Sequence, residues 1–332
     1  MPELLVTVAI PTLAADARLV ECLAALERQT LRDFEVIVID NSGVGAARGT
    51  GVRVIEQARN VGFGAAVNAA FRESRSRYLA TLNDDALPHP GWLAALVAAL
   101  EARPDAGMCA SQVRLFGEEA LDSAGMLVCG DGSSKQRGHM RPPQFFPVAE
   151  EVLLPSGSAA LYRRAMLEEI GLFDEDFFLY CEDTDLGLRA RWAGWRCLYA
   201  PEAVVEHHYS HSAGRASRLK AYYVERNRLF VLAKNFPARL LAAAPFVSLA
   251  RYGWHLRCML GGRGAAARFR LEGASGWRMP LYVLRAHAAL VWRFPALARQ
   301  RRQIRAGARI SSHIYGRLLR AHAISARRVA EL

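Results

Sequence analysis

Asp84 and Asp85 stand side by side after Asn83, at the end of the buried-looking run 78–82. Adjacent carboxylates raise each other's pKa, so such a pair calls for a cation. Oxygen ligands of this kind suit Mg²⁺ or Mn²⁺, which in turn bridge to phosphates. Two more polar pairs, Pro11-Thr12 and Asp40-Asn41, end the β-rich runs 5–10 and 34–39. One such Asp reads most simply as a cap or turn former. Three polar strand ends meeting at one edge of an open parallel sheet read as a ligand site. A second acid cluster, Glu182, Asp183 and Asp185, follows the aromatic run 177–180. Acids suit a helix N-terminus, and they also suit a general base for an acceptor that must lose a proton. His207, His208 and His211 offer nitrogens for a metal or for proton transfer. Gly62-Phe63-Gly64 opens a helix but lacks the third glycine of a dinucleotide fingerprint and the Lys-Ser/Thr of a P-loop. It reads equally as a plain turn or as a close approach to an anion facing the helix N–H groups. Trp92, Phe178, Tyr180 and Trp195 could stack on sugars, although the core reading is the simpler one for each.

These residues need elements to position them. Apolar residues at Leu19, Cys22, Leu23 and Leu26 give 18–29 a helical period. Segments 64–75 and 90–101 are also helical, the second with proline at its start. The strands 5–10, 34–39, 52–55 and 78–82 alternate with them, which predicts a mainly parallel sheet with helices on both faces. Residues 107–160 read as a mixed extension of that sheet with a loop at 130–147. Segments 163–170 and 186–192 read as helix and 196–199 as strand. From Arg215 onward the chain reads as helical and basic.

The chain has 332 residues, 52% of them hydrophobic and 23% charged, which excludes global disorder. Its formal net charge of +11 is uneven: 215–332 holds 24 Lys+Arg against Glu225, Glu272 and Glu331. This divides the chain into an acidic region, 1–214, and a basic amphipathic helical region, 215–332. No two of the six cysteines form a CxxC pair, so buried thiols in a reducing cytosol are expected. Residues 4–15 read as strand and turn rather than as a signal peptide. The apolar run 240–250 is too short to cross a bilayer. A nucleic-acid binder would use the basic tail, but no such module is recognisable and the arginines alternate with apolar residues at helical spacing.

The ordered set of motifs resembles family 2 glycosyltransferases of the GT-A fold, especially the rhamnosyltransferase-like branch. It consists of Ile10-Pro11-Thr12, Val38-Ile39-Asp40-Asn41-Ser42, Asn60-Val61-Gly62-Phe63-Gly64 with Asn68, Leu82-Asn83-Asp84-Asp85-Ala86 with Pro90-Gly91-Trp92-Leu93, and Ser156-Gly157-Ser158-Ala159. It ends in 171–178 and Glu182-Asp183-Thr184-Asp185-Leu186. The resemblance covers roughly 4–235. It implies a GT-A nucleotide-sugar domain over 1–214 and an inverting, metal-dependent transfer. The donor side is Pro11, Thr12, Asp40, Asn41, Asn60, Gly62, Gly64, Asn83 and Asp84. Asp85 and His207, with His208 or His211 as alternatives, hold Mg²⁺ or Mn²⁺, and Asp183 is the base. Gly157, Glu182 and Trp92 fall on the acceptor side. Asp84 departs from the branch, where proline is common at that position. The donor first implied is dTDP-rhamnose, with a UDP-hexose or UDP-galactofuranose as the alternative. The acceptor is a glycan or polyprenyl-linked sugar in cell-surface polysaccharide synthesis. A cytoplasmic protein held peripherally on an anionic membrane surface is expected, with a homo-oligomer as the other use of the tail. A non-catalytic scaffold is the remote alternative, opposed by the presence of Asp40, Asp85, Asp183 and His207.

Overall fold

The computed structural model describes residues 4–208, 218–262, 264 and 279–332. Contacts divide the chain into two units, Met1–Met126 with Gln136–Tyr209, and Leu127–Lys135 with Ser210–Leu332.

The first unit is built on a ten-stranded sheet with helices around it. Strands β1 (Val6–Thr12), β2 (Phe34–Asp40), β3 (Arg53–Glu56) and β4 (Tyr78–Leu82) alternate with helices α1 (Ala17–Glu27) and α2 (Phe63–Glu73). β1 pairs parallel with β2 and β4, and β2 with β3. The apolar runs of β1, β2 and β4 are buried as central parallel strands require. Their shared direction brings Thr12, Asp40 and Asn83 to one edge.

Beyond β4 the chain forms β5 (Ala86–Pro88), helix α3 (Trp92–Glu101), β6 (Ala106–Leu115) and β7 (Leu121–Ser123). Next come the short strands β8 (Met126–Val128), β9 (Ser134–Gln136) and β10 (Glu150–Val152), then β11 (Ala159–Arg163). The unit closes with α4 (Arg164–Ile170), α5 (Glu182–Trp192) and β12 (Arg196–His207). The sheet runs β10-β12-β6-β11-β4-β1-β2-β3, with β5 on β12 and β7 on β6. The expected mixed extension is therefore largely two long strands: β6 has ten residues, and β12 has twelve and reaches the first histidine. Antiparallel β11 lies between β4 and β6.

The second unit contains α6 (Arg218–Asn235), α7 (Ala238–Leu260), α8 (Met279–Ala306), α9 (Ser312–Ala321) and α10 (Ala326–Glu331). α6 packs on α8, and α10 on α7. Arg301 and Arg305 on α8 donate to the carbonyls of Ala233, Asn235 and Phe236, satisfying the C-terminal end of α6. Asp131 is fully buried and paired to Arg251 at 2.5 Å, while Glu225 pairs with Arg228 and with Arg251. This closed network holds 127–135 against α6 and α7. Among the described residues no helix is long and apolar enough to cross a membrane. All six cysteines are buried, and none is in a disulfide.

Candidate active site

Thr12 and Asp40 are register partners at the ends of β1 and β2. Thr12 Oγ1 donates to Asp84 Oδ2 at 2.6 Å, tying two strand ends together. Burial pushes the Asp84 carboxyl up to about 6, opposed by the Thr12 hydrogen bond and reinforced by the negative charge of Asp85. Asp40 accepts from the Ala47 amide (2.7 Å) and the Ser42 amide (2.9 Å). Burial opposes its ionisation, yet these donors hold its pKa below the ordinary value. Asp40 thus fixes the 42–47 loop while keeping lone pairs for a ligand. Asn41 braces the next loop, with its amide donating to Gly62 O. Asn60 is exposed and accepts from the Gly62 amide at 2.9 Å.

The approach to Gly62 and Gly64 comes from the protein's own chain, backbone at the first and side chain at the second. Gly62 has φ +88°, and a Cβ there would lie 2.1 Å from Phe178 O. A Cβ on Gly64 would lie 2.9 Å from Phe173 Cβ. Asn68 of α2 bonds both the carbonyl and the amide of Phe173. Arg189 of α5 pairs with Asp185 and donates to the carbonyls of Ile170, Gly171 and Leu172. The segment 170–182 is therefore clamped from both sides. Phe178, Tyr180 and Cys181 carry φ of +61°, +70° and +65°, costly for side-chain-bearing residues and characteristic of functional turns.

That turn delivers Glu182 and Asp183 to the first turn of α5. Asp183 is partly exposed; its Oδ2 accepts from the Gly157 amide at 3.0 Å and its Oδ1 from the Thr184 amide at 2.6 Å. Burial raises its pKa, with the Gly157 and Thr184 donors acting against the rise. Glu182 is buried, and its Oε2 has no hydrogen-bond partner among the described residues. Burial and the Asp183 charge push it well above the carboxylate range. One residue beyond Gly157, Ser158 O accepts from the Asn83 amide at 2.9 Å. The segment 156–158 thus links the base candidate to the Asn83-Asp84-Asp85 end of β4.

β5 pairs antiparallel with β12, placing His207 opposite Ala86. His207 Nε2 lies 3.1 Å from Asp85 Oδ1 and 3.1 Å from Asn83 Nδ2. Its Nδ1 lies 2.9 Å from Asp122 Oδ2. Burial would lower the imidazole pKa, but Asp122 and Asp85 raise it to about 10. Asp122, itself fully enclosed, is brought down to about 2 by His139 and His207 against the opposing effect of burial. His139 Nδ1 is 3.4 Å from Asp122 Oδ1. Asp122 and His139 were missed in the sequence. The available signal was Asp122-Ser123 in a Gly-rich stretch, which alone does not separate a charged core residue from a turn.

His208 turns elsewhere. Its ring stacks on Phe116 with centroids 4.0 Å apart, while its amide donates to Asp85 O. His211 lies outside the described residues. Trp92 does not join the site: it is fully buried in the core with Nε1 on Ser111 Oγ, so the acceptor-side expectation is corrected to packing.

Among the described residues no group of three or more His, Cys, Asp or Glu side chains is placed to hold a metal ion. Asp85 and His207 nevertheless fit as two members of a shared site. Their 3.1 Å N···O separation matches neighbouring ligands of an octahedral cation with bonds of about 2.1 Å. Nδ1 of His207 is fixed from behind by a carboxylate, as metal-bound histidines usually are.

Residues 7–171 match the family described as glycosyl transferase family 2. An N-acetylglucosaminyl-diphospho-decaprenol L-rhamnosyltransferase of Mycobacterium tuberculosis is 31% identical over 259 residues, covering 67% of this chain and 82% of its own. The chain belongs to glycosyl transferase family 2. It is a glycosyltransferase of the rhamnosyltransferase-like kind. Two solved structures share the fold. One is GalNAc-T7 with UDP, GalNAc and Mn²⁺ (TM-score 0.60, 14% identity, 75% of this chain and 51% of that one). The other is the Pyrobaculum calidifontis mannosyltransferase PcManGT with GDP-Man and Mn²⁺ (TM-score 0.51, 18% identity, 99% and 86%). The glycosyltransferase thus has the expected GT-A architecture, a mainly parallel sheet in an α/β domain with C-terminal helices.

Proposed function

We propose that this glycosyltransferase moves a sugar, with rhamnose as the first candidate, from a nucleoside diphosphate to a glycan or polyprenyl-linked acceptor in cell-surface polysaccharide synthesis, with inversion. The observation that carries the reading is the 156–158 bridge. It joins Asp183, a carboxylate with a raised pKa, to the strand end that carries Asp85 and His207. The mycobacterial relative's name supports rhamnose and a lipid-linked acceptor.

In this reading Thr12, Asp40 and Asn41 shape the nucleotide side, with Pro11 and Asn60 beside them. Asn83 and Asp84 face the donor sugar and diphosphate. Gly62 and Gly64 act indirectly, by letting 173–182 close on α2. Asp183 accepts the acceptor's hydroxyl proton, and the loss of that proton makes the oxygen a competent nucleophile. Attack on the face opposite the departing diphosphate inverts the anomeric carbon. Gly157 holds the base through its amide. Asp85 and His207 would hold Mg²⁺ or Mn²⁺, which when bound supplies charge neutralisation for the leaving group.

A lipid-linked acceptor presents its sugar at a membrane, so the enzyme works on the cytoplasmic face as a peripheral protein. The basic helical region 215–332 serves that placement, apart from the nucleotide-sugar domain 1–214. The test is release of nucleoside diphosphate from a panel of dTDP-, UDP- and GDP-sugars, with Mn²⁺, Mg²⁺ or a chelator. Turnover of dTDP-rhamnose with a polyprenyl-diphosphate-sugar acceptor supports the proposal. Exclusive turnover of a UDP-sugar reassigns the donor, and no turnover of any donor rejects the enzyme reading.

A further inference from the structure

The second unit exposes large apolar side chains in rows. On α7, Phe246 is 74% and Leu249 66% exposed, and Leu256 continues their face. Their spacing of three and seven residues keeps them on one stripe of a helix. On α8, Leu281, Leu284 and Val291 form a second stripe by the same spacing, and Trp292, eight residues from Leu284 and 84% exposed, widens it. Single exposed leucines need no explanation, whereas stripes of this length mark a surface that something covers.

The charges around the stripes indicate what covers them. Each described acid of this unit is already neutralised by its own arginines. Asp131 and Glu225 are buried against Arg228 and Arg251, and Glu331 pairs with Arg327 at 2.7 Å and Arg328 at 3.4 Å. The α7 stripe lies between exposed Arg239 and Arg257, and Arg285 and Arg299 are exposed on α8. The outward field of this unit is thus positive, next to apolar side chains too short a run to span a bilayer. A protein partner with an apolar face would not require this one-signed field; an anionic lipid surface does.

We propose that α7 and α8 form the lipid-contacting face of this protein, with the Phe246 and Trp292 stripes entering the interface of an anionic leaflet and the flanking arginines meeting its phosphates. This rests on the reading of a lipid-linked acceptor and names the surface that serves it. Tryptophan suits the boundary because its ring is apolar and its N–H stays hydrated.

The experiment is flotation of the full-length protein with vesicles of phosphatidylcholine alone or with one-third phosphatidylglycerol. Wild type should float with the anionic vesicles, and rising salt should release it. Phe246→Ser/Trp292→Ser should lose at least tenfold in vesicle affinity. It should keep the thermal shift given by dTDP with Mn²⁺, since both residues are exposed and outside the catalytic site. Equal flotation of wild type and variant, or no flotation of wild type at low salt, overturns the proposal. So does a wild-type dimer, seen by light scattering and absent in the variant, together with unbound vesicles; a second copy would then cover the stripes. A wild-type protein that floats with the anionic vesicles, and whose variant does not, but that shows no dTDP–Mn²⁺ shift would reject the catalytic reading and leave the lipid face standing.

Discussion

His207 Nδ1 and Asp122 Oδ2 lie 2.9 Å apart, and the carboxylate side of that contact is shared with His139. Asp122 is 2% exposed, so bulk solvent does not compete for it. The contact orients the imidazole so that Nε2 faces Asp85. Asp122→Asn should therefore keep the shape but lose the charge that orients and polarises the ring. Outer partners of metal-bound histidines are worth about 10–100-fold in affinity. Mn²⁺ affinity in the presence of dTDP, read by electron paramagnetic resonance, should fall by about that factor. Binding of dTDP without metal should stay within about twofold. An unchanged Mn²⁺ affinity would show that Asp122 serves only the fold.

Among the described histidines, only His207 meets Asp85 through its side chain at hydrogen-bond distance; His208 stacks on Phe116 instead. His207→Ala and Asp85→Ala should each abolish the Mn²⁺-dependent gain in donor affinity, and His208→Ala should leave it within about threefold. Calorimetry of dTDP binding with and without Mn²⁺ separates the three. A His208→Ala loss as large as that of His207→Ala would move the ligand one residue along the chain.

Gly62 is where a side chain is least tolerable. Its φ of +88° and the 2.1 Å approach of a Cβ to Phe178 O both exclude alanine without movement. Gly62→Ala should destabilise the protein by about 2 kcal/mol or more. Because the displaced backbone is the turn leading into Glu182 and Asp183, turnover should fall further than the melting temperature implies. Urea titration and steady-state rates on the same preparation check this.

How far the site was readable from sequence follows from where its order comes from. Thr12, Asp40 and Asn83 were legible because central parallel strands are continuous apolar runs whose ends are sharp. Asp183 was legible as an acid at a helix start. Asp122 was not, because β7 is three residues long and gains its meaning from β6 and from His207 at the end of β12. Strand β12 itself read as four residues, since Pro201 and Glu202 interrupt its pattern, and its register shifts there. For Gly62-Phe63-Gly64 the local signal gave the need for space but not its occupant, which lies more than a hundred residues later. Trp92 looked available for stacking because periodicity does not show which side of α3 faces the sheet.

Glu182 is a carboxyl buried without a partner for Oε2 among the described residues, and its ionisation is opposed by burial and by Asp183. Its folded pKa is raised, so its contribution to stability is present at low pH and is lost as pH rises through that value. Glu182→Gln removes the charge and the pH term together. The variant should be no more stable than wild type near pH 4 and increasingly more stable toward pH 8. Melting curves across that range test the sign; a variant less stable at every pH would mean that the carboxylate is satisfied by a ligand or water.

Asp183 differs from Glu182 in being partly exposed and in having both oxygens held, Oδ2 by Gly157 and Oδ1 by Thr184. These bonds aim the carboxylate, while burial keeps it more basic than an ordinary aspartate. A base with a raised pKa accepts a proton more readily but is ionised over less of the acid range. The rate should therefore rise with pH through an apparent pKa above the ordinary value of about 4 for aspartate. Asp183→Asn should lower kcat by about 10²–10⁴, remove that acid limb, and leave dTDP–Mn²⁺ binding nearly unchanged. Asp185→Asn acts differently, because Asp185 pairs with Arg189 and supports the 170–172 clamp. Its loss should lower stability and activity together while preserving the acid limb of the remaining rate. If Asp183→Asn kept both its turnover and its pH profile, the proton would have to leave the acceptor by another group, and the assignment of the base would fall.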